Sequence, residues 1–173
     1  LRQIVPENRM RLYDMREIIE TIADRGSVLE IREKFGIGVI TSFIRVEGKP
    51  MGVIANNPHH IAGAIDSDGA DKGARFVQLC DAFDIPILSL MDCPGMMVGP
   101  DVESTALVRH CVRMFNAGAN LTTPMFLTVV RKAYGLGVQA MCGASSFTGF
   151  FSVAWPTAEF AGMAIEGSVK LGY

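Results

Sequence analysis

The apolar positions of this chain fall into two alternating periods. In "YDMREIIETIADRGSVLEI", Ile18, Ile19 and Ile22 share one face of a 3.6-residue repeat and Asp14 stands at the N-cap, predicting an amphipathic helix that ends near Gly26. "GVITSFIRV" and "MGVIANN" are β-rich runs on either side of the turn "EGKP", a hairpin signal. "SDGADKGARFVQLCDAF" returns to helical spacing, with Ala70, Ala74, Val77 and Phe83 expected to face inward. A short apolar strand "IPILSLMD", a helix over "PDVESTALVRHCVRMFNAGA" and a second apolar strand "PMFLTVV" follow. The chain then passes through "RKAYGLGVQAM" and "FFSVAWP" to a final helix expected from Thr157. Strands that are apolar throughout and alternate with helices predict an α/β domain. Its central strands should be parallel and covered by helices on at least one face.

The 173 residues amount to about one domain, with no repeat or low-complexity run. A net charge of -2 gives nucleic acid or an anionic membrane nothing to attract, so neither is expected as a partner. Cys80, Cys93, Cys111 and Cys142 lie far apart with no C-x-x-C pair, which suits buried thiols in a cytosolic protein rather than zinc ligands or a disulfide framework. The polar, charged opening is no signal peptide. Apolar residues make up 49% of the chain, and residues 133–158 carry no charge at all. Five glycine and proline positions interrupt that run, from Gly135 to Pro156, so burial against another subunit or domain is expected rather than a membrane span. The apolar ending "VKLGY" reads as a piece of something longer.

In an open α/β sheet, ligands sit beyond the carboxyl ends of the strands. Two glycine-rich segments reach that edge, "DCPGMMVGP" and "RKAYGLGVQAM". Gly135-x-Gly137-x-x-Ala140 satisfies a dinucleotide fingerprint, with Glu159 near the position of a ribose-binding acid. Three features oppose that reading: "RKAY" separates strand from glycines, the helix that follows is about two turns long, and Glu159 is expected to start a helix. The alternatives are a tight strand-to-helix turn for packing, and an oxyanion site. In the latter, Gly135 and Gly137 let the backbone approach a ligand while the N–H groups of Leu136 and Gly137 open from a helix start. Spacing alone does not choose between these two.

Other reactive side chains read more simply. His59 and His60 sit in a loop without an evident acidic partner, and His110 and Cys111, as helix neighbours, point about 100° apart. "DSDGADK" lacks the spaced ligands and terminal glutamate of a calcium loop. Arg131 and Lys132 suit either a ligand phosphate or acidic side chains. The ten methionines are core and interface filler.

Taken in order, "KGARFVQLCDAFDIPILSLMDCPGMMVG", "VRH", "RKAYGLGVQAM" and "AWPTAEFAGMAIEG" resemble the second half of the carboxyltransferase component of biotin-dependent acyl-CoA carboxylases, the propionyl-, acetyl- and methylcrotonyl-CoA carboxylase group. The likeness covers nearly the whole chain. It implies a crotonase-like ββα superhelix, with residues 1–173 as the C-terminal domain of a two-domain carboxyltransferase.

The resemblance also implies the chemistry. Carboxybiotin on a carrier domain gives up CO2, a biotin nitrogen takes the α-proton of an acyl-CoA, and the enolate attacks CO2. The backbone N–H groups of Leu136 and Gly137 would hold the biotin ureido oxygen, Gln139 would line the acyl pocket, and Gly135 and Gly95 would shape the approach. For Gln139 a solvated helix position, and for Gly95 a plain turn, are the alternatives. Where Leu136 stands, the family pattern "YGGA" has glycine, which affects how closely biotin approaches but not the N–H donors. No metal is expected in this domain. The implied partners are the N-terminal carboxyltransferase domain, biotin carboxylase and biotin carrier domains and further copies of itself, in the cytoplasm or, in a eukaryote, the mitochondrial matrix. A biotin-dependent acyl-CoA decarboxylase α subunit and a non-catalytic assembly half are the competing readings.

Overall fold

A computed structural model describes residues 3–144 and 149–172. Helix α1 (Met15–Ile22) starts where expected: the Asp14 side chain accepts a hydrogen bond from the Arg16 N–H. After the two-residue strand β1 (Leu29–Glu30), β2 (Val39–Val46) and β3 (Lys49–Asn56) form the antiparallel hairpin, turning through Glu47 and Gly48 at φ 52° and 77°. Asp24 fixes that turn by accepting from both of its backbone N–H groups, at 3.0 and 2.8 Å.

Helix α2 (Ser67–Ala82) then crosses to β4 (Ile87–Cys93), and α3 (Pro100–Glu103) and α4 (Leu107–Ala119) cross to β5 (Met125–Tyr134). Strands β3, β4 and β5 are parallel neighbours. Beyond β5, strand β6 (Phe151–Ala154) pairs with its first half and β7 (Glu159–Ala161) with its last three residues, both parallel and end to end along one edge. A short helix, α5 (Gly135–Met141), follows β5, and α6 (Ile165–Gly172) comes last.

The alternation of side chains divides the core in two. On one face Ile54, Ile87, Met91 and Leu127 pack under α2 and α4; on the other Ile40, Val53, Leu90 and Val130 pack under α1. The four cysteines are all buried, and burial pushes their thiols up, to about 11 for Cys111 and Cys142 and about 12 for Cys80 and Cys93.

Several expected boundaries move. Helix α2 stops at Ala82, so Phe83 leaves the buried stripe and is exposed. The helix expected over residues 100–119 is two helices. The hydroxyls of Ser104 and Thr105 donate back to the Asp101 and Val102 carbonyls, and Ala106 turns to φ 57° before α4 begins. No helix starts at Thr157. Its hydroxyl donates to the Val130 carbonyl and the chain runs on along β5 as β7, the helix beginning only at Ile165. Last, "RKAY" is not a spacer: it is the end of β5.

Candidate functional site

The site grows from a mismatch between β4 and β5. Their register runs evenly to Met91 opposite Val129 and resumes at Cys93 opposite Ala133, so Asp92 alone faces residues 130–132. Its carboxylate, fully buried, fills the irregularity. Oδ2 accepts from the Arg131 Nε at 3.0 Å and from the Tyr13 hydroxyl at 2.9 Å; Oδ1 accepts from the Lys132 backbone N–H at 3.2 Å, with the Lys132 Nζ at 3.5 Å. Arg131, itself only 4% exposed, also lies over the Tyr13 ring at 4.9 Å. Burial first, and then the Asp92 charge, raises the Tyr13 hydroxyl well beyond the usual phenol range, so it stays a donor. Arg131 and Lys132 thus bind an acidic side chain, and Lys132 also donates to the Ala62 carbonyl at 2.7 Å.

This clamp fixes the two strand ends from which the glycine segments leave. From β4, the loop carrying Gly95 is tied to Ile65, whose N–H donates to the Gly95 carbonyl and whose carbonyl accepts from Met97. From β5, the chain passes Tyr134 directly into α5. The Tyr134 hydroxyl donates to Glu159 at 2.6 Å, and Arg9 pairs with the same carboxylate at 2.7 Å. Glu159 therefore belongs to β7 and is engaged by Tyr134 and Arg9, not placed at a helix start. Two of the objections to a dinucleotide site, the spacer and the helix at Glu159, do not hold. The third does, because α5 is only seven residues long.

Helix α5 opens without a side-chain cap. The N–H groups of Gly135, Leu136 and Gly137 lie in its first turn, where an α-helix supplies no internal acceptor. Gly135 takes φ 56°, the left-handed conformation glycine adopts without cost, and a Cβ there would stand 3.0 Å from the Gly162 carbonyl oxygen. Gly137 is glycine for a different reason. A Cβ would lie 2.5 Å from the Cys93 sulfur and 2.9 Å from the Gly95 backbone, so α5 sits directly on the β4 loop.

Of the residues singled out in the sequence, Gly135, Leu136 and Gln139 line one open hollow of about 680 Å³, with Phe160 and Gly162 across from them. Leu136 is 60% exposed, and Gln139 is exposed as well. Gly137 lies beneath that surface and Gly95 touches it from below, outside the lining. Phe160 is a wall residue that sequence reasoning misses, because its segment reads as helix and turns out to be β7. Asp92 is missed too, although an acid at one strand end, with Arg-Lys at the next, is a signal that could have found the clamp.

The remaining candidates are structural. His60 Nε2 lies 3.0 Å from Asp66 Oδ2, the acidic partner that the sequence did not suggest. His110 pairs with Asp71 at 2.9 Å while Cys111 is buried. In "DSDGADK", Asp66 caps α2. Among the described residues, no group of three or more His, Cys, Asp or Glu side chains is placed to hold a metal ion, and no helix is long and apolar enough to cross a membrane.

Comparison with known proteins gives a consistent result. A model of the carboxyl transferase domain matches residues 1–173. The propionyl-CoA carboxylase beta chain of Roseobacter denitrificans is 42% identical over 97% of this chain, and the methylmalonyl-CoA decarboxylase subunit alpha of Propionigenium modestum 39% identical over 97%. These matches span 33% and 32% of the relatives, so the chain covers about a third of their length. Among solved structures, a single-chain, multi-domain long-chain acyl-CoA carboxylase superimposes with a TM-score of 0.97 at 52% identity, covering 99% of this chain and 17% of that one. The transcarboxylase 12S hexamer core superimposes at 0.94 and 37% identity, covering 99% and 34%.

Proposed function

The chain belongs to the carboxyl transferase domain family and has its crotonase-like fold, and from that premise we propose that it is one half of a carboxyltransferase active site. In this reading the half-site serves transfer of CO2 between carboxybiotin and the α-carbon of an acyl-CoA. The observation that carries it is the uncapped first turn of α5 opening onto the 680 Å³ hollow.

Carboxybiotin, when bound, supplies the CO2 and a basic ureido nitrogen. The chain's own residues would do the rest. The N–H groups of Leu136 and Gly137 donate to the ureido oxygen as it gains negative charge, a task for which fixed dipoles need no reorganisation. Gly135 keeps the wall beside them low, Gly95 supports Gly137 from below, and Gln139 contributes the polar part of the acyl wall. The fit is favourable because the donors are backbone N–H groups, which the leucine at position 136 leaves intact. The thioester oxygen would be held by an N-terminal carboxyltransferase domain, and CO2 would arrive through biotin carboxylase and biotin carrier domains. Running the same half-site in reverse makes a decarboxylase subunit; a relative bearing that name matches nearly as well as the carboxylase chains, so direction would be set by the partners.

The test lies at Leu136 rather than at Gly137, where any side chain meets Cys93 and Gly95. Leu136 is exposed and in the first helical turn, where proline is tolerated, so Leu136→Pro removes one donor; because proline also restricts the left-handed Gly135 before it, the fold of the variant is checked by circular dichroism alongside turnover. In the complete enzyme, turnover should fall by about 10²–10³, while Leu136→Ala, which keeps the N–H, stays near the parent rate. A folded Leu136→Pro enzyme with parental turnover would refute the assignment. A parent chain that joins its partner domains but binds neither biotin nor the biotinylated carrier domain would instead support a non-catalytic assembly half.

A further inference from the structure

Lys72 is the one lysine of the described core that the proposed chemistry does not use. It lies on α2, 1% exposed, and its Nζ has no hydrogen-bond partner among the described residues. A buried ammonium without a counter-charge is costly, and burial lowers Lys72 to about 8. Two carboxylates act on it from the segment 30–33. Glu30 is held by Arg16 at 2.7 and 2.8 Å, and Glu33 influences it without an ion pair.

Two further cations stand at the wall of its cavity. Lys72 lines a space of about 20 Å³ together with Arg32, Arg75 and Thr41, and with the apolar Ile31, Phe76 and Leu79. That is room for a single oxygen-sized group. Arg32 and Arg75 also line an adjoining hollow of about 490 Å³, with Arg113, Gln78 and Phe35. Asp71, the acid of that hollow, is taken by Arg113 at 2.8 Å and His110 at 2.9 Å. Among the described residues Arg75 reaches only Gln78, at 3.1 Å. Three basic residues therefore line a narrow recess, and two of them, Arg32 and Arg75, also line a space the size of a small-molecule site. None of these residues belongs to the hollow at α5.

We propose that this crevice, between α2 and the segment 31–35, binds a phosphate ester: one phosphoryl oxygen enters the recess on Lys72, Arg32 and Arg75 hold the outer oxygens, and the organic part lies against Phe35. Guanidinium groups match phosphate geometry, and a terminal oxygen fits the recess where a larger group does not. Inorganic phosphate shares the chemistry and would occupy the same three cations.

The experiment is calorimetric titration of the full polypeptide with adenosine 5′-monophosphate, inorganic phosphate and adenosine. Saturable binding of the monophosphate, tighter than inorganic phosphate and absent for adenosine, is expected. Equal affinity of the two phosphates would support the same site with free phosphate as its ligand. Arg75→Gln, an exposed change that leaves the core alone, should weaken binding at least tenfold, and Lys72→Met should abolish it. No saturable binding of either phosphate, or binding unchanged in Arg75→Gln and Arg32→Gln, would overturn the proposal; monophosphate bound only at the acyl-CoA site would show as the latter. Because the readout is binding, it stands or falls independently of turnover at α5.

Discussion

Replacing Asp92 by asparagine keeps the shape of the side chain but removes its charge and turns one of its two acceptor oxygens into a donor, leaving Arg131 buried without a counter-ion. Asp92 is 0% and Arg131 4% exposed, and the carboxylate receives the Tyr13 hydroxyl, the Arg131 guanidinium and the Lys132 N–H within 3.2 Å. Breaking one side of such a buried pair costs about 3–5 kcal/mol. For a chain of this size that is a fall of about 6–20 °C in melting temperature. Thermal and urea unfolding of parent, Asp92→Asn, Arg131→Met and the double variant give the cycle. Arg131→Met in the Asp92→Asn background should recover part of the loss, because the uncompensated charge goes with it. If Asp92→Asn costs less than about 1 kcal/mol, or if the two changes simply add, the clamp is not an interacting charge network and the strand ends are held by something else.

Other outcomes are equally direct. Gln139→Ile in the complete enzyme should move preference toward longer acyl chains by about 1–3 kcal/mol; an unchanged ranking of acetyl-, propionyl- and longer acyl-CoA would place Gln139 outside the pocket. Stability should decline as pH rises above about 8.5. The thiols of Cys80, Cys93, Cys111 and Cys142 ionise near there when unfolded but only at about 11–12 when folded, so their contribution is complete below that range and is lost through it. Lys72, lowered to about 8, works in the opposite direction, but one lysine does not offset four thiols, and a melting temperature constant up to about pH 11 would contradict that balance. The charge-free run 133–158 contains the exposed Phe150, Phe151 and Val153, so sedimentation should show a dimer or larger species and Val153→Lys should disperse it; a monomeric parent would count against this.

The fold class and most elements are legible in the sequence because the relevant signals are local. Asp14 is a cap whose side chain needs only the next turn of chain, and the hairpin follows from two β-rich runs on either side of a short turn containing Gly48. What is not legible is decided by distant partners. Nothing near Thr157 announces that its hydroxyl will find Val130 and hold the chain as a strand, and nothing near Phe83 tells that the helix ends one residue before it. At the site, the glycines can be picked out but not told apart. Gly135 is required by its backbone angle and Gly137 by contact with Cys93 and Gly95, in a remote part of the chain, which spacing cannot reveal. Asp92 escapes notice because Tyr13, Arg131 and Lys132 reach it from far along the chain on either side.

The seating of Gly137 on the β4 loop bears on how such a site drifts over evolutionary time. If the working atoms are main-chain amides, the alphabet at position 136 is almost unrestricted, since every residue but proline carries the same donor and this one projects into open space. Position 137 has an alphabet of one, and for a reason unrelated to catalysis: no larger residue fits above Cys93 and Gly95. A glycine that never varies there would therefore be a record of packing. The freely exchanged neighbour beside it would carry half of the chemistry without leaving any mark in the sequence.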